Sequence, residues 1–152
     1  MSVMTKEEIL AMVPQQRPFR FIDDIVELSE EGIVASYTFR PDESFYAGHF
    51  PGNPITPGVI LLETMAQTGV VAYGIYLASL QMNKEAISKI LTVFTEAEVE
   101  FNGMVRPGDK VTIRARKKYF RRLKLKTEAE ITGHNGDVVC SGTIAGMGIR
   151  QS

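Results

Sequence analysis

With 152 residues, 44% of them apolar and 23% charged, the chain has the size and composition of one globular domain, residues 1–152, with a sizeable core. A net charge of −1 provides no global field to select a nucleic acid or a membrane surface. The single cysteine, Cys140, excludes an internal disulfide, no Cys/His cluster points to a metal, and residues 1–12 lack the basic-then-apolar pattern of a secretory leader, so a reducing, cytoplasmic setting is expected.

Thr5-Lys6-Glu7-Glu8 has the capping-box pattern and predicts a short helix from Lys6 to Met12, ended by Pro14 and Pro18. Arg20 to Leu28 and Ile33 to Arg40 are rich in apolar and β-branched residues around the turn Glu30-Glu31-Gly32, and predict a hairpin. Pro41 to Thr56 is irregular, stiffened by Pro51 and Pro54. Thr56 reads as an N-cap and Pro57 as the first residue of a helix. That helix, Gly58 to Leu80, is apolar on nearly every face and therefore needs cover on all sides. It is long enough for a membrane span. Glu63, Thr64, Gln67 and Thr68 in its first half, and the lack of a second span, favour a buried core helix.

The remainder reads as strands: Ile90 to Phe101, Lys110 to Phe120, Leu123 to Thr132 and Val138 to Ile149, separated by turns at Pro107-Gly108-Asp109 and around Gly133 to Asp137. The expected class is α+β, with five or six antiparallel strands curved around one long helix and a second subunit completing its cover. Charge is uneven. Arg114 to Lys126 carries eight basic residues and no acid, whereas residues 1–100 carry six basic and fourteen acidic ones. A solvated strand face and a docking surface for an acidic partner both fit that run.

Three features of the loop and helix carry chemistry. His49 lies in Gly48-His49-Phe50-Pro51-Gly52-Asn53-Pro54, and an imidazole near neutrality suits a general base. By itself it reads more readily as a structural histidine, because lone histidines are common and catalytic ones rare. Glu63 changes the balance: a carboxylate within Val59-Ile60-Leu61-Leu62-Glu63-Thr64-Met65-Ala66 is expected to hold its proton and deliver it as a general acid. Gln67, four residues on, shares its face and can orient the carboxyl. Pro57 has no N–H, so Gly58 and Val59 offer the first free backbone donors of the helix, an oxyanion site in waiting. Base, acid and oxyanion donors at an apolar place suit removal of an α-proton from a thioester and loss of a β-hydroxyl as water, without cofactor or metal.

At these residues the chain resembles the bacterial (3R)-3-hydroxyacyl-acyl-carrier-protein dehydratases of FabZ type. Gly48-His49-Phe50-Pro51-Gly52-Asn53-Pro54-Ile55-Thr56-Pro57-Gly58-Val59 followed by Glu63-Thr64-Met65-Ala66-Gln67 is similar to the family signature without a gap. Arg17-Pro18-Phe19-Arg20-Phe21-Ile22-Asp23 and Val105-Arg106-Pro107-Gly108-Asp109 extend it. The resemblance implies a hot-dog fold, pairing into a double hot-dog homodimer and often three such dimers. It implies that His49 from one subunit and Glu63 from the other meet in a tunnel. It implies an acyl chain on the phosphopantetheine arm of acyl carrier protein as substrate. Glu63, where the related dehydratase-isomerases resemble this motif but carry Asp, favours plain dehydration. Gln16, Glu100, Asn102 and Gly103 depart from the family pattern. The acids and neutral residues around Phe101 weaken one docking surface there, and Arg121, Arg122 and Lys124 offer another.

Phe50, Met65 and Phe101 are candidates to line the acyl tunnel, although Met65 and Phe101, like Tyr73 and Tyr76, also read as ordinary core. His134 reads as an exposed turn residue and Cys140 as a packed thiol. Two other functions remain open at this point: a hot-dog thioesterase using Glu63 to activate water, and a non-catalytic dehydratase-like subunit.

Overall fold

The computed structural model describes residues 3–151. Helix α1 (Lys6–Met12) carries the expected capping box, with Thr5 Oγ1 accepting from Glu8 N and a Glu8 carboxylate oxygen accepting from Thr5 N. Strands β1 (Asp24–Leu28) and β2 (Gly32–Thr38) form the expected hairpin. The first strand begins later than the sequence indicates, because the Phe21 amide donates to the side chain of Gln67 instead of a sheet neighbour.

A short 3₁₀ turn (Ser44–Ala47) leads into the proline-rich loop, and helix α2 (Gly58–Ser79) follows, with a π-helical turn at Gln67–Ala72. Thr56 does not cap it: Pro57 occupies the N-cap position with no side-chain bond, and the Thr56 hydroxyl bonds Tyr46 instead. A short helix α3 (Lys84–Ser88), capped by Asn83, was not legible in the sequence. Strands β3 (Ile90–Phe101), β4 (Lys110–Arg121), β5 (Lys124–Thr132) and β6 (Val138–Arg150) complete a six-stranded antiparallel sheet in the order β1-β2-β4-β5-β6-β3.

The sheet wraps α2. From the helix come Leu61, Met65, Ala72, Tyr73 and Leu77; from the sheet come Ile33, Ala35, Tyr37, Ile113, Leu125, Ile131 and Ile144, all buried. Close approach is possible at Gly69, where a Cβ would stand 3.0 Å from the Cβ of Ala115. The long apolar helix is thus a core element, and the architecture is the hot-dog arrangement of class α+β. His134 is exposed in its turn, and the Cys140 thiol is buried, which pushes its pKa up to about 11.

β3 is an edge strand, and much of its apolar surface is uncovered. Leu91, Val93 and Phe94 are exposed, and Met147 and Ile149, their cross-strand neighbours on β6, are exposed beside them. The basic run lies on the β4–β5 hairpin. Arg122 and Leu123 both adopt positive φ (50° and 64°), the two-residue turn that matches strand twist. Much of this charge is paired: Arg116 and Lys118 meet Glu128, and Lys124 and Lys126 meet Glu96 of β3 at 2.9 and 3.2 Å. Arg121 stacks over the Tyr119 ring at 4.7 Å.

Candidate active site

The loop that presents His49 is tied at both ends. Tyr46 and Thr56 are buried and share a 2.6 Å hydroxyl–hydroxyl bond, and Thr56 N donates to the Val105 carbonyl. Arg106 Nη1 donates to Asn53 Oδ1 at 3.1 Å. Within the loop, Phe50 holds φ 59° and Gly52 φ 86°. A positive φ at phenylalanine is uncommon and strained, and here it turns the chain so that the Phe50 ring stands edge-on to the imidazole of His49.

His49 Nδ1 lies 2.8 Å from the carbonyl oxygen of Ile55. A carbonyl only accepts, so Nδ1 carries the proton and donates it. That fixes the tautomer and leaves Nε2 with its lone pair free. The imidazole is half-buried, so one nitrogen is spent on orientation and the other is available as a base.

Glu63 sits on the second turn of α2, half-buried. Burial raises its pKa above the ordinary carboxylate value, and a hydrogen bond from Gln67 lowers it in part. Gln67 is itself fully buried and uses every polar atom. Its Oε1 accepts from Phe21 N at 2.7 Å; its Nε2 donates to the Phe19 carbonyl and to Glu63 Oε2, both at 2.9 Å. A flipped amide would set its oxygen against two acceptors, so this orientation is the one the surroundings allow. At the start of α2 the Pro57 carbonyl accepts from Ile60 and Leu61, and Gly58 and Val59 supply the N–H groups ahead of them. Val59 is 73% exposed. The ring of Phe101 lies over Gly58, with its Cε1 3.2 Å from where a Cβ would stand.

Not every expected residue sits where the sequence placed it. Met65 is fully buried among core side chains, so its place is packing and not the lining of a tunnel. Phe50 and Phe101 are half exposed near the loop and the helix start. Lys124 is engaged with Glu96, whereas Arg121 and Arg122 are exposed. A hollow of about 880 Å³ lies elsewhere, over the outer face of the sheet among Arg114, Arg116, Glu128 and Glu130. The sequence did not reveal the Tyr46–Thr56 tie; a hydroxyl three residues before His49 and another at the far end of the loop were its only trace.

A family model described as FabA-like domain matches residues 13–144. The chain belongs to this family. The 3-hydroxyacyl-[acyl-carrier-protein] dehydratase FabZ of Petrotoga mobilis is 35% identical over 152 residues, covering 98% of this chain and 100% of that protein. This places the chain on the FabZ-type branch of the FabA-like family. Among solved structures, the dehydratase heterocomplex ApeI:P of Xenorhabdus doucetiae superposes with a TM-score of 0.77 at 14% identity, over 98% of this chain and 93% of that one. A thioesterase of Haemophilus influenzae, HI1161, gives 0.68 at 17% identity over 98% and 93%. At such identities the structures speak for the hot-dog fold alone.

Proposed function

We propose that this FabA-like protein is a lyase that dehydrates (3R)-3-hydroxyacyl-[acyl-carrier-protein] to the trans-2-enoyl thioester and water, in fatty-acid or related acyl-chain synthesis. What carries the reading is the complementary character of two groups: a histidine whose Nε2 is left free by the bond from Nδ1 to Ile55, and a carboxyl whose pKa burial pushes above the ordinary carboxylate value. His49 Nε2 takes the C2 proton. The N–H groups of Gly58 and Val59 receive the charge that grows on the thioester oxygen. The Glu63 carboxylic acid protonates the C3 hydroxyl, the C3–O bond breaks, and water departs as the C2–C3 double bond forms. His49 then holds one proton more and Glu63 one fewer, and proton return through solvent resets the pair. Gln67 keeps the carboxyl aimed.

The free edge of β3, with Leu91, Val93 and Phe94 beside Met147 and Ile149, supports pairing with a second copy edge to edge. The working unit in this reading is a homodimer, or a trimer of such dimers, with His49 of one protomer facing Glu63 of the partner subunit. Arg121 and Arg122 at the β4–β5 turn are the cations offered to an acidic carrier protein, and Phe50 and Phe101 flank the entrance. The setting is cytoplasmic.

The test is an intact-mass assay of purified protein with 3-hydroxyacyl chains on acyl carrier protein. Loss of one water, and its regain from the enoyl form, is the expected result. Release of the whole acyl group with free thiol would show a hydrolase and refute the proposal. An unchanged carrier would move the protein to a binding role.

A further inference from the structure

The loop that carries His49 is fastened on both sides. At its exit, Thr56 N donates to the Val105 carbonyl and Arg106 to Asn53. Its entry has a fastening of its own at Glu43, near the start of the 3₁₀ turn. Glu43 Oε2 accepts from the hydroxyl of Tyr37 and, at 3.2 Å, from the backbone N–H of Arg40. Tyr37 stands on β2 and is 1% exposed. Its ring meets those of Phe21 and Phe39 edge-on, with centroids 5.8 and 4.9 Å apart. Packed in this way, its hydroxyl is a fixed point on the sheet.

Arg40 completes the arrangement. Its Nη1 donates to the Tyr37 hydroxyl at 3.2 Å, which directs the hydroxyl's own hydrogen to Glu43. Its Nη2 lies 3.7 Å from Asp23 Oδ1, while Asp23 Oδ2 accepts from Thr38 N. The bonds between Arg40 and Glu43 are reciprocal, because Glu43 N donates to the Arg40 carbonyl at 3.1 Å. The turn from Arg40 to Glu43 is thus closed twice, and the carboxylate joins it to β2.

From Glu43 the backbone leads to His49 in two steps. The Glu43 carbonyl accepts from Tyr46 N at 3.2 Å, and the Phe45 carbonyl accepts from His49 N at 3.1 Å. A shift at Glu43 is therefore passed along the 3₁₀ turn. The bonds from His49 to Ile55 and from Tyr46 to Thr56 orient the ring within the loop. They do not fix the loop entry against the sheet.

We infer that Glu43 is a positioning residue of the reaction: bonded to Tyr37, it holds the loop entry so that His49 Nε2 stays within reach of the C2 proton. The inference rests on the dehydratase reading and adds a residue that acts through His49. Misplacing a reacting group by about 1 Å costs up to about a hundredfold in rate.

The test measures kcat and KM for a 3-hydroxyacyl chain on acyl carrier protein, well below the melting temperature of each variant. Glu43→Ala should lower kcat at least about tenfold and leave KM within about threefold. Glu43→Gln, whose amide oxygen can accept both bonds, should recover most of that loss. Tyr37→Phe keeps the ring and removes the hydroxyl; it should lower kcat in the same way, and decides the matter if Glu43→Ala does not fold. Added to His49→Ala, Glu43→Ala should leave the residual rate within about twofold, because a residue that acts through His49 has nothing left to position. An unchanged kcat in folded Glu43→Ala or Tyr37→Phe would overturn the inference while leaving the dehydratase intact. So would a full additional loss on the His49→Ala background. A wild type that dehydrates no chain would remove the underlying reading, and this one with it.

Discussion

Replacing Gln67 by leucine tests whether one amide holds the site together. Leucine keeps much of the volume and removes three hydrogen bonds at once: those to Phe21, Phe19 and Glu63. Phe21 is 0% exposed, so its N–H has no route to water. A stranded buried donor costs about 1–3 kcal/mol. Phe19 is 48% exposed, so its carbonyl regains water and adds little. For a chain of this size each kcal/mol lowers Tm by about 2–4 °C, giving an expected fall of roughly 2–12 °C. The second effect is electrostatic. Burial raises the Glu63 pKa and the Gln67 bond opposes it, so without the bond the pKa rises further. Glu63 acts while protonated, so activity is lost as pH climbs through its pKa. The alkaline limb of kcat/KM should therefore move to higher pH, while kcat at its maximum falls because the carboxyl is no longer aimed. Thermal melts and a pH–rate profile measure both effects. An unchanged Tm with an alkaline limb that stays put or moves down would refute the reasoning.

Burial of Glu63 also bears on stability. Its folded pKa lies above the unfolded one, so the folded state binds more protons between those two values, and stability falls as pH rises through that window. Glu63→Gln should melt above the wild type at pH beyond the window and converge with it below about pH 4; a Tm difference independent of pH would count against this. His49→Ala should keep its circular dichroism and lose about 10²–10⁴-fold in turnover. Mixing it with Glu63→Gln under subunit exchange should restore part of the activity, and exchange without rescue would place the whole site in one protomer. Tyr46→Phe strands the Thr56 hydroxyl, which is buried (4%), and should cost about 1–3 kcal/mol in a denaturant titration. Tyr46→Phe with Thr56→Val should recover most of that loss, because no unpaired group remains.

The sequence alone was enough wherever a signal is local. The capping box of α1 needs four consecutive residues. The burial of α2 follows from its lack of a polar face, and the association of Glu63 with Gln67 follows from a spacing of four on a helix. The alternation of Leu125, Thr127, Ala129 and Ile131 with Lys124, Lys126, Glu128 and Glu130 marked β5 for the same reason: side chains at i and i+2 share a face. The candidate groups of the loop could be read together because His49, the helix start and Glu63 lie within fifteen residues of one another.

What spans the chain was decided by tertiary structure. Gln67 binds Phe21 and Phe19 across 46 and 48 residues, which delayed β1 to Asp24. Thr56 gave its hydroxyl to the buried Tyr46 hydroxyl instead of the helix, ten residues away in sequence. The position of β3 at the sheet edge beside β6 has no local signature, and it exposed Leu91 and Val93 while bringing Glu96 to Lys124 and Lys126. Met65 and Gly74 both lie on α2, yet only folding distinguished a side chain sealed in the core from a glycine beside open space. Periodicity tells which face of an element is apolar. What that face meets depends on strands that pair at long range, where complementarity between distant segments selects the partner.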